Sequence, residues 1–133
     1  MARSELTDAE IALIQAPNLG VLATIQPDGS PQASVLWVDF RDGLIWVNTA
    51  SGRAKPRNIE RDPRVAITVW DREDPYRRLV VRGRVVETVT EGADDHIRWL
   101  NRKYHGDDDF AFTPGTYRII FQIRPESVSS EDV

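Results

Sequence analysis

The sequence predicts a single, mainly β domain with short helices, whose strands close into a small antiparallel barrel. Its 133 residues are enough for one domain with a proper core and too few for two. Six β-rich runs follow one another along the chain, mostly joined by tight hairpin turns. A six-stranded meander of this kind closes most economically into a barrel, because closure removes exposed strand edges.

The first half of the chain begins with a short helix and continues with hairpins. In "SELTDAEIALIQAP", Ser4 or Thr7 is placed to cap a helix whose apolar residues have helical spacing. Two β-rich runs then flank "PDG", where Pro27 presets φ and Gly29 permits a positive φ. A second turn, "RDG", leads into the strand "LIWVNT".

The second half contributes three strands and the longest helix. "RVAITVW" is apolar on both faces, which is typical of a central strand. In "LVVRGRVVETVT", Gly83 interrupts an alternating strand and predicts a bulge or a close backbone approach. "EGADDHIRWLNRKYHG" predicts a helix capped by Gly106. The final run, "TYRIIFQIRPESV", is expected to place Tyr117 and Ile119 on its inward face.

Composition excludes several classes of function. The net charge of −4 argues against general nucleic-acid binding, and the lack of cysteine removes thiolate nucleophiles and Cys-based metal sites. The two histidines, His96 and His105, are too few for a multi-histidine metal centre and are expected at the surface. We find no metal site and no Ser/His/Asp set, so if the protein is an enzyme, a cofactor must carry its chemistry. Without a signal-peptide core or a long apolar run, we expect a cytoplasmic protein that is not inserted in a membrane.

The basic segment "NTASGRAKPRNIERDP" predicts an anion site. Pro56 is tolerated only in the first helical turn, so the helix within 51–62 begins no earlier than about Arg53. Arg53 and Lys55 then lie at the end where carboxylates, not cations, stabilise a helix. Asn48 and Thr49 add neutral donors beside them. A solvated face is the alternative, but this placement favours a bound anion.

Other polar and aromatic residues are candidates for contact with a flat ligand. Gln32 and Ser34 share a strand face and could donate hydrogen bonds to a planar heterocycle, although solvated positions are the alternative. Trp37 and Trp46 either pack in the core or stack beside such a ligand. Tyr76, an aromatic residue on the polar loop "DREDPYRR", is placed to cover a ligand or to pack on a partner subunit.

Two segments together carry a family resemblance. "LGVLATIQPDGSPQASVLWVDF", followed by "LIWVNTASGRAKPRNIERDPRVAITV", resembles the split β-barrel flavin and deazaflavin oxidoreductases related to pyridoxamine 5′-phosphate oxidase. The likeness is greatest to their small actinobacterial F420-dependent branch and covers nearly the whole chain. It implies a six-stranded antiparallel split β-barrel and a homodimer with two cofactor sites in clefts between the subunits.

The resemblance also implies which residues bind the cofactor. Arg53 and Lys55 would hold the phosphate of the cofactor tail, with Arg57 and Asn58 nearby. Tyr76 would reach the cofactor of the partner subunit. The ring system would be lined by strand residues, namely Gln32, Ser34, Leu36, Trp37, Val47, Asn48 and Thr49.

The function implied is an F420H2-dependent reductase that transfers a hydride to a conjugated organic substrate, such as an enone, quinone or tetrapyrrole. No catalytic acid is assigned. Two alternatives stay open: an FMN-dependent oxidase or reductase of the same fold, and a non-catalytic carrier of a deazaflavin or flavin. Pyridoxamine phosphate oxidation itself is not expected, because the chain is too short for the C-terminal substrate-binding segment of those enzymes.

Overall fold

The computed structural model describes residues 3–133. In this part of the chain there are seven strands: β1 Leu19–Ile25, β2 Pro31–Trp37, β3 Asp39–Arg41, β4 Leu44–Ala50, β5 Arg64–Trp70, β6 Arg78–Val89 and β7 Arg118–Glu131. The three helices are α1 Asp8–Gln15, α2 Ala54–Arg61 and α3 Ala93–His105. No helix within residues 3–133 is long and apolar enough to cross a membrane.

The strands form one curled antiparallel sheet in the order β2-β1-β5-β6-β7-β4-β3. The predicted mainly β split barrel is confirmed, and β5 lies inside the sheet between β1 and β6, as its two apolar faces indicate. Apolar side chains of the inward faces, among them Leu22, Ile67, Val81 and Ile123, form the core. Ile59 of α2 belongs to this core, whereas α3 packs on the outer face of β4 and β7.

The predicted count of six strands is wrong, because the run after the "PDG" turn breaks at Val38. Two side chains of helix α3 form hydrogen bonds with the backbone of this residue. Val38 N donates to the Tyr104 hydroxyl at 3.0 Å, and Lys103 Nζ donates to Val38 O at 2.6 Å. These bonds replace a sheet ladder with side-chain contacts. The chain resumes as the separate three-residue strand β3.

The N-cap of helix α1 is one of the two residues that the sequence predicts for it. Thr7 is the N-cap: its hydroxyl accepts from Glu10 N, and the Glu10 carboxylate accepts from Thr7 N at 2.8 Å. This reciprocal pair is a capping box. Glu10, only 1% exposed, also forms an ion pair with Arg3 at 2.6 Å.

The glycine in mid-strand β6 marks a close approach between backbones, as predicted. The β6–β7 register shifts between Arg82 and Gly83. A Cβ at position 83 would collide with the backbone carbonyl of Arg124 and press on the Ile123 side chain. Only glycine therefore fits here without moving β7.

Helix α3 buries the outer face of the sheet at the start of β7. Both faces of this strand are therefore buried from Arg118 to Phe121. The expected inward position of Ile119 is confirmed, but that of Tyr117 is wrong. Tyr117 precedes the strand, is 61% exposed, and its backbone N–H donates to the Ser51 hydroxyl at 3.0 Å.

Candidate functional site

Helix α2 starts where the sequence places it and is tied to the sheet by its own polar residues. Arg53 is an N-cap without a side-chain cap bond, and Pro56 lies in the first turn, which contains no acidic residue. Asn58, 3% exposed, donates to the Thr24 hydroxyl at 3.0 Å, and Arg61 donates to Ile25 O and to Asn58. These contacts fix the C-terminal half of α2 relative to strand β1, and the helix in turn positions its basic N-terminal end.

Three cations meet at this end of α2 without a counter-ion. Lys55 and Arg118 are each 9% exposed, and Arg53 is exposed. No carboxylate of residues 3–133 lies within 4.0 Å of any of the three. Burial, Arg53 and Arg118 together lower the pKa of Lys55. Burial and Arg53 lower the pKa of Arg118 to about 10, against a small opposing effect of Asp94.

These cations line a cleft of about 250 Å³. The rest of its lining is mainly apolar and aromatic, so the cleft combines positive charge with flat contact surface. Its lining consists of Val35, Leu36, Trp37, Asn48, Arg53, Lys55, Ile97, Phe110 and Arg118. Such a combination suits a ligand with an anionic part and a planar, largely apolar part.

Arg118 is held at the cleft by neighbours from two other segments. Its Nε donates to Asn48 Oδ1 at 2.9 Å, and its guanidinium lies 5.0 Å from the centre of the Phe110 ring. The sequence reading missed both Arg118 and Phe110. A cation inside the apolar run "YRIIF" was the available signal, but strand alternation assigned Arg118 to an outer face that only the position of α3 shows to be buried.

His96 is buried, so the expectation of a surface histidine is wrong for this residue, whereas His105 is exposed as expected. His96 Nε2 lies 3.0 Å from Asp39 Oδ2, and its Nδ1 lies 3.1 Å from Asn48 Nδ2. The reason is the packing of α3, which turns His96 together with Ile97 and Leu100 to the sheet. Neither Asp39 nor this network was found from the sequence.

Trp37 packs against α3 at the edge of the cleft. Its ring stacks on Tyr104 with centroids 5.1 Å apart and planes 9° apart, and it also lines the cleft. Trp46 does not line the cleft; it packs beside His96, and the guanidinium of Arg41 lies 5.1 Å from its ring centre.

Four further predicted residues do not line the cleft but lie on β2 and β4, the strands that carry several residues that do. Ser34 Oγ and Thr49 Oγ1 are buried without a hydrogen-bond partner among the residues described. Both sit next to cleft-lining residues on β2 and β4, as buried donors that a bound polar group could use. Val47 is in the core, 1% exposed, and Gln32 accepts from the Thr24 hydroxyl at 3.0 Å.

Arg57 and Tyr76 are not brought to the cleft. Arg57 faces a second cleft, shared with Pro56 and Tyr117, on the other side of α2. Tyr76 is 72% exposed on the loop between β5 and β6. Within one chain the structure thus brings together Leu36, Trp37, Asn48, Arg53 and Lys55 of the predicted set.

The chemistry of the cleft is that of a binding site. Its polar side chains are an amide and three cations, and no histidine, cysteine or carboxylate lines it. No group of metal-ligating residues occurs in the described part of the chain. Residues 6–131 match the family model described as pyridoxamine 5′-phosphate oxidase. The chain belongs to this family.

Two curated relatives carry the same name, pyridoxine/pyridoxamine 5′-phosphate oxidase. The protein of Azorhizobium caulinodans is 37% identical over 93 residues, which cover 68% of this chain and 42% of the relative. The protein of Rubrobacter xylanophilus is 39% identical over 83 residues, 61% of this chain and 37% of the relative. The match therefore spans less than half the length of either relative.

Solved structures agree on the fold. An F420 reductase superimposes with a TM-score of 0.80 at 33% identity, covering 93% of this chain and 98% of that one. A conserved hypothetical protein from Mycobacterium tuberculosis superimposes with a TM-score of 0.73 at 26% identity, covering 99% and 89%. The family membership establishes an oxidoreductase-type fold, and these likenesses bear on the cofactor considered next.

Proposed function

We propose that the protein is an F420H2-dependent reductase that transfers a hydride to a conjugated organic substrate, such as an enone, quinone or tetrapyrrole. The observation that carries this proposal is the cluster of Arg53, Lys55 and Arg118, which lacks a counter-ion beside an aromatic cleft. A buried charge without a partner is unfavourable. A polyanionic cofactor tail would remove that penalty, and the similarity to an F420 reductase supports this choice of anion.

The residues present fit such a cofactor. The three cations would bind the phosphate and carboxylates of its tail, and the buried hydroxyls of Ser34 and Thr49 are unused donors for its ring system. When bound, the reduced deazaflavin supplies the hydride. The chain's contribution is orientation and exclusion of water, for which Leu36 and Phe110 provide apolar walls. We assign no residue as a proton donor.

A second subunit would complete each site. The cleft of about 250 Å³ in one chain is small beside typical ligand pockets of roughly 300–1,000 Å³. Tyr76, 72% exposed on a polar loop, is available to cover the cofactor of a partner. We therefore propose a homodimer with the cofactors between its subunits, acting in the cytoplasm on a small molecule and without nucleic acid or membrane insertion.

An FMN-dependent oxidase or reductase is the second candidate. A single terminal phosphate would also neutralise much of the cation cluster, and the curated relatives are named as oxidases rather than as F420 proteins. The third candidate, a non-catalytic carrier, shares the binding site and differs only in turnover.

Parallel titrations with F420 and FMN, followed by fluorescence, test the proposal. We expect F420 to bind more tightly, with an affinity that falls as ionic strength rises, because part of the contact is charge-based. Turnover of conjugated acceptors with F420H2 would then separate a reductase from a carrier. Tighter binding of FMN would assign the protein to the flavin-dependent branch, and binding of neither would return the basic helix to a solvated face.

A double substitution tests the placement of the anion. Arg53→Gln with Lys55→Gln should weaken F420 binding by several kcal/mol, since charged hydrogen bonds contribute about 1.5–3 kcal/mol each. The fold should survive, because neither side chain makes a hydrogen bond to another described residue. The matched control is Arg82→Gln with Arg124→Gln, which removes the same charge from exposed positions on β6 and β7. Equal affinity losses in both double variants would contradict the placement.

A further inference from the structure

A buried carboxylate fixes which nitrogen of His96 carries the hydrogen. Asp39 accepts from Phe40 N at 2.8 Å, from Arg41 Nε at 2.7 Å and from His96 Nε2 at 3.0 Å. The side chains of His96 and Asp39 are each 2% exposed, so water does not compete for these bonds. An ionised carboxylate can only accept, and therefore His96 Nε2 must be a donor.

The ring of His96 and the carbonyl of Ala93 together fix the orientation of the Asn48 amide. A neutral imidazole with its hydrogen on Nε2 offers Nδ1 as an acceptor, and Asn48 Nδ2 lies 3.1 Å from it. The other amide hydrogen goes to Ala93 O at 2.9 Å. Since both amide hydrogens are used, the amide oxygen must face the opposite way, where Arg118 Nε donates to it at 2.9 Å.

The amide oxygen holds Arg118 by one nitrogen and leaves the others for a ligand. No described residue accepts a hydrogen bond from the two terminal guanidinium nitrogens of Arg118, and the residue lines the cleft. If the Asn48 amide turned over, its NH2 group would face the guanidinium, donor against donor. Arg118 would then be pushed out of the orientation in which it meets the cleft.

We propose that His96 is a positioning residue: through Asn48 it orients Arg118 toward the anion of the bound cofactor. The step rests on the proposed function for the identity of the anion, whereas the chain from Asp39 through His96 and Asn48 to Arg118 is a property of the protein alone. His96 does not line this cleft, and its link to the cleft is the contact with Asn48.

Two substitutions of His96 separate this role from a purely structural one. His96→Gln places an amide near the former Nε2 and can still donate to Asp39, but it leaves one of the two Asn48 amide hydrogens without an acceptor. His96→Asn places its side-chain oxygen near the former Nδ1 and can accept from Asn48, but it no longer reaches Asp39. The two variants thus each keep one half of the network.

We expect His96→Gln to affect mainly the affinity for F420 and His96→Asn to affect mainly the stability of the protein. For His96→Gln, the dissociation constant for oxidised F420 should rise about tenfold, as for the misdirection of one charge-assisted hydrogen bond. For His96→Asn, it should stay within about threefold of wild type, while the melting temperature falls further because Asp39 loses a buried donor. Affinity losses that follow melting temperature in both variants would show that His96 is merely structural.

A spectroscopic readout needs no ligand. Long-range proton–nitrogen spectra of the unliganded protein should show the hydrogen of His96 on Nε2, with exposed His105 as the second imidazole signal. Exchange of the Arg118 Nε hydrogen should be slow in wild type and His96→Asn and fast in His96→Gln. A hydrogen on Nδ1 of His96, or equal protection of Arg118 in all three proteins, would overturn the proposal.

The proposed function and the positioning role of His96 can be refuted independently of each other. If wild type binds neither F420 nor FMN, the proposed function fails, and the exchange of Arg118 still decides whether His96 positions it. If wild type binds F420 and His96→Gln binds it equally well, the positioning role fails while the function stands.

Discussion

Replacing Lys55 by methionine should make the ligand-free protein more stable and at the same time weaken its binding of F420. Lys55 is 9% exposed, makes no ion pair with a described residue, and faces the like charges of Arg53 and Arg118. Methionine keeps most of the apolar stem and removes the charge. The apo protein therefore loses a repulsion, whereas the complex loses an attraction.

The size of the effect follows from the surroundings of Lys55 itself. Burial is the first cause of its lowered pKa, and the charges of Arg53 and Arg118 are the next; a buried donor without a partner costs about 1–3 kcal/mol. Solvent at the mouth of the cleft screens part of this. Relief at Lys55 should then raise the free energy of unfolding by about 1–2 kcal/mol, and loss of one charged hydrogen bond should weaken F420 binding by about 1.5–3 kcal/mol.

The chain contains its own control, since Lys103 is its one other lysine. Burial lowers the pKa of Lys103 to about 8, but its Nζ donates to Ile14 O at 2.7 Å and to Val38 O at 2.6 Å. Lys103→Met should therefore destabilise the protein by about 2–3 kcal/mol, because two buried carbonyls lose their donor. Burial lowers the pKa of both lysines, but only Lys103 has hydrogen-bond acceptors. This difference explains why the two substitutions should change the free energy of unfolding in opposite directions.

Urea denaturation of the cofactor-free proteins at pH 7, where Lys103 is protonated, measures the stabilities, and a fluorescence titration with F420 measures the affinities. The reasoning would be refuted if Lys55→Met unfolded at lower urea than wild type, since Lys55 would then have a stabilising partner. Higher stability with unchanged affinity would leave the repulsion intact and remove Lys55 from the anion site.

Two further predictions concern stability away from the cleft. The hydrogen bond from Arg3 lowers the pKa of Glu10 to about 2 from 4.5; its stabilisation is present above pH 4.5 and lost as pH falls towards 2. Glu10→Gln should thus lower the free energy of unfolding by about 2 kcal/mol at pH 7, a figure that allows for the partial exposure of Arg3. At pH 2 the substitution should change the free energy of unfolding by almost nothing. Urea denaturation at the two pH values measures both effects. Gly83→Ala should cost about 2–3 kcal/mol, because the new methyl group meets the Arg124 carbonyl. Exposed Thr88→Ala on the same strand serves as the control, and equal midpoints for the two variants would show that β7 can move aside.

The elements that could be predicted from the sequence are those specified by local chemistry. The N-cap at Thr7, the position of Pro56 in the first turn of α2 and the glycine at position 83 each express a constraint that acts within a few residues or on a single backbone position. The same holds for the cationic start of α2, which the structure places at a cleft.

The parts that were missed depend on how distant segments pack. β3 is a separate strand only because Tyr104 and Lys103 of α3 take up the backbone of Val38. Arg118 and His96 are buried only because α3 covers the outer face of β4 and β7. The hydrophobic periodicity and the structural propensity of a segment indicate the buried face of that one strand or helix. They contain no information on which outer face of the sheet a later helix will cover.

The position of the cation cluster in the topology also determines when during folding it can exist. Arg53 and Lys55 follow β4, whereas Arg118 opens β7, and Arg118 is paired with Ala50 in the β4–β7 ladder. Asn48 and Arg118 are 70 positions apart in sequence, and such long-range pairings close late. A cofactor cannot recognise an anion site whose two halves have not yet met, so it has nothing to bind in the early stages of folding. Its stabilising effect should therefore appear as slower unfolding rather than faster folding.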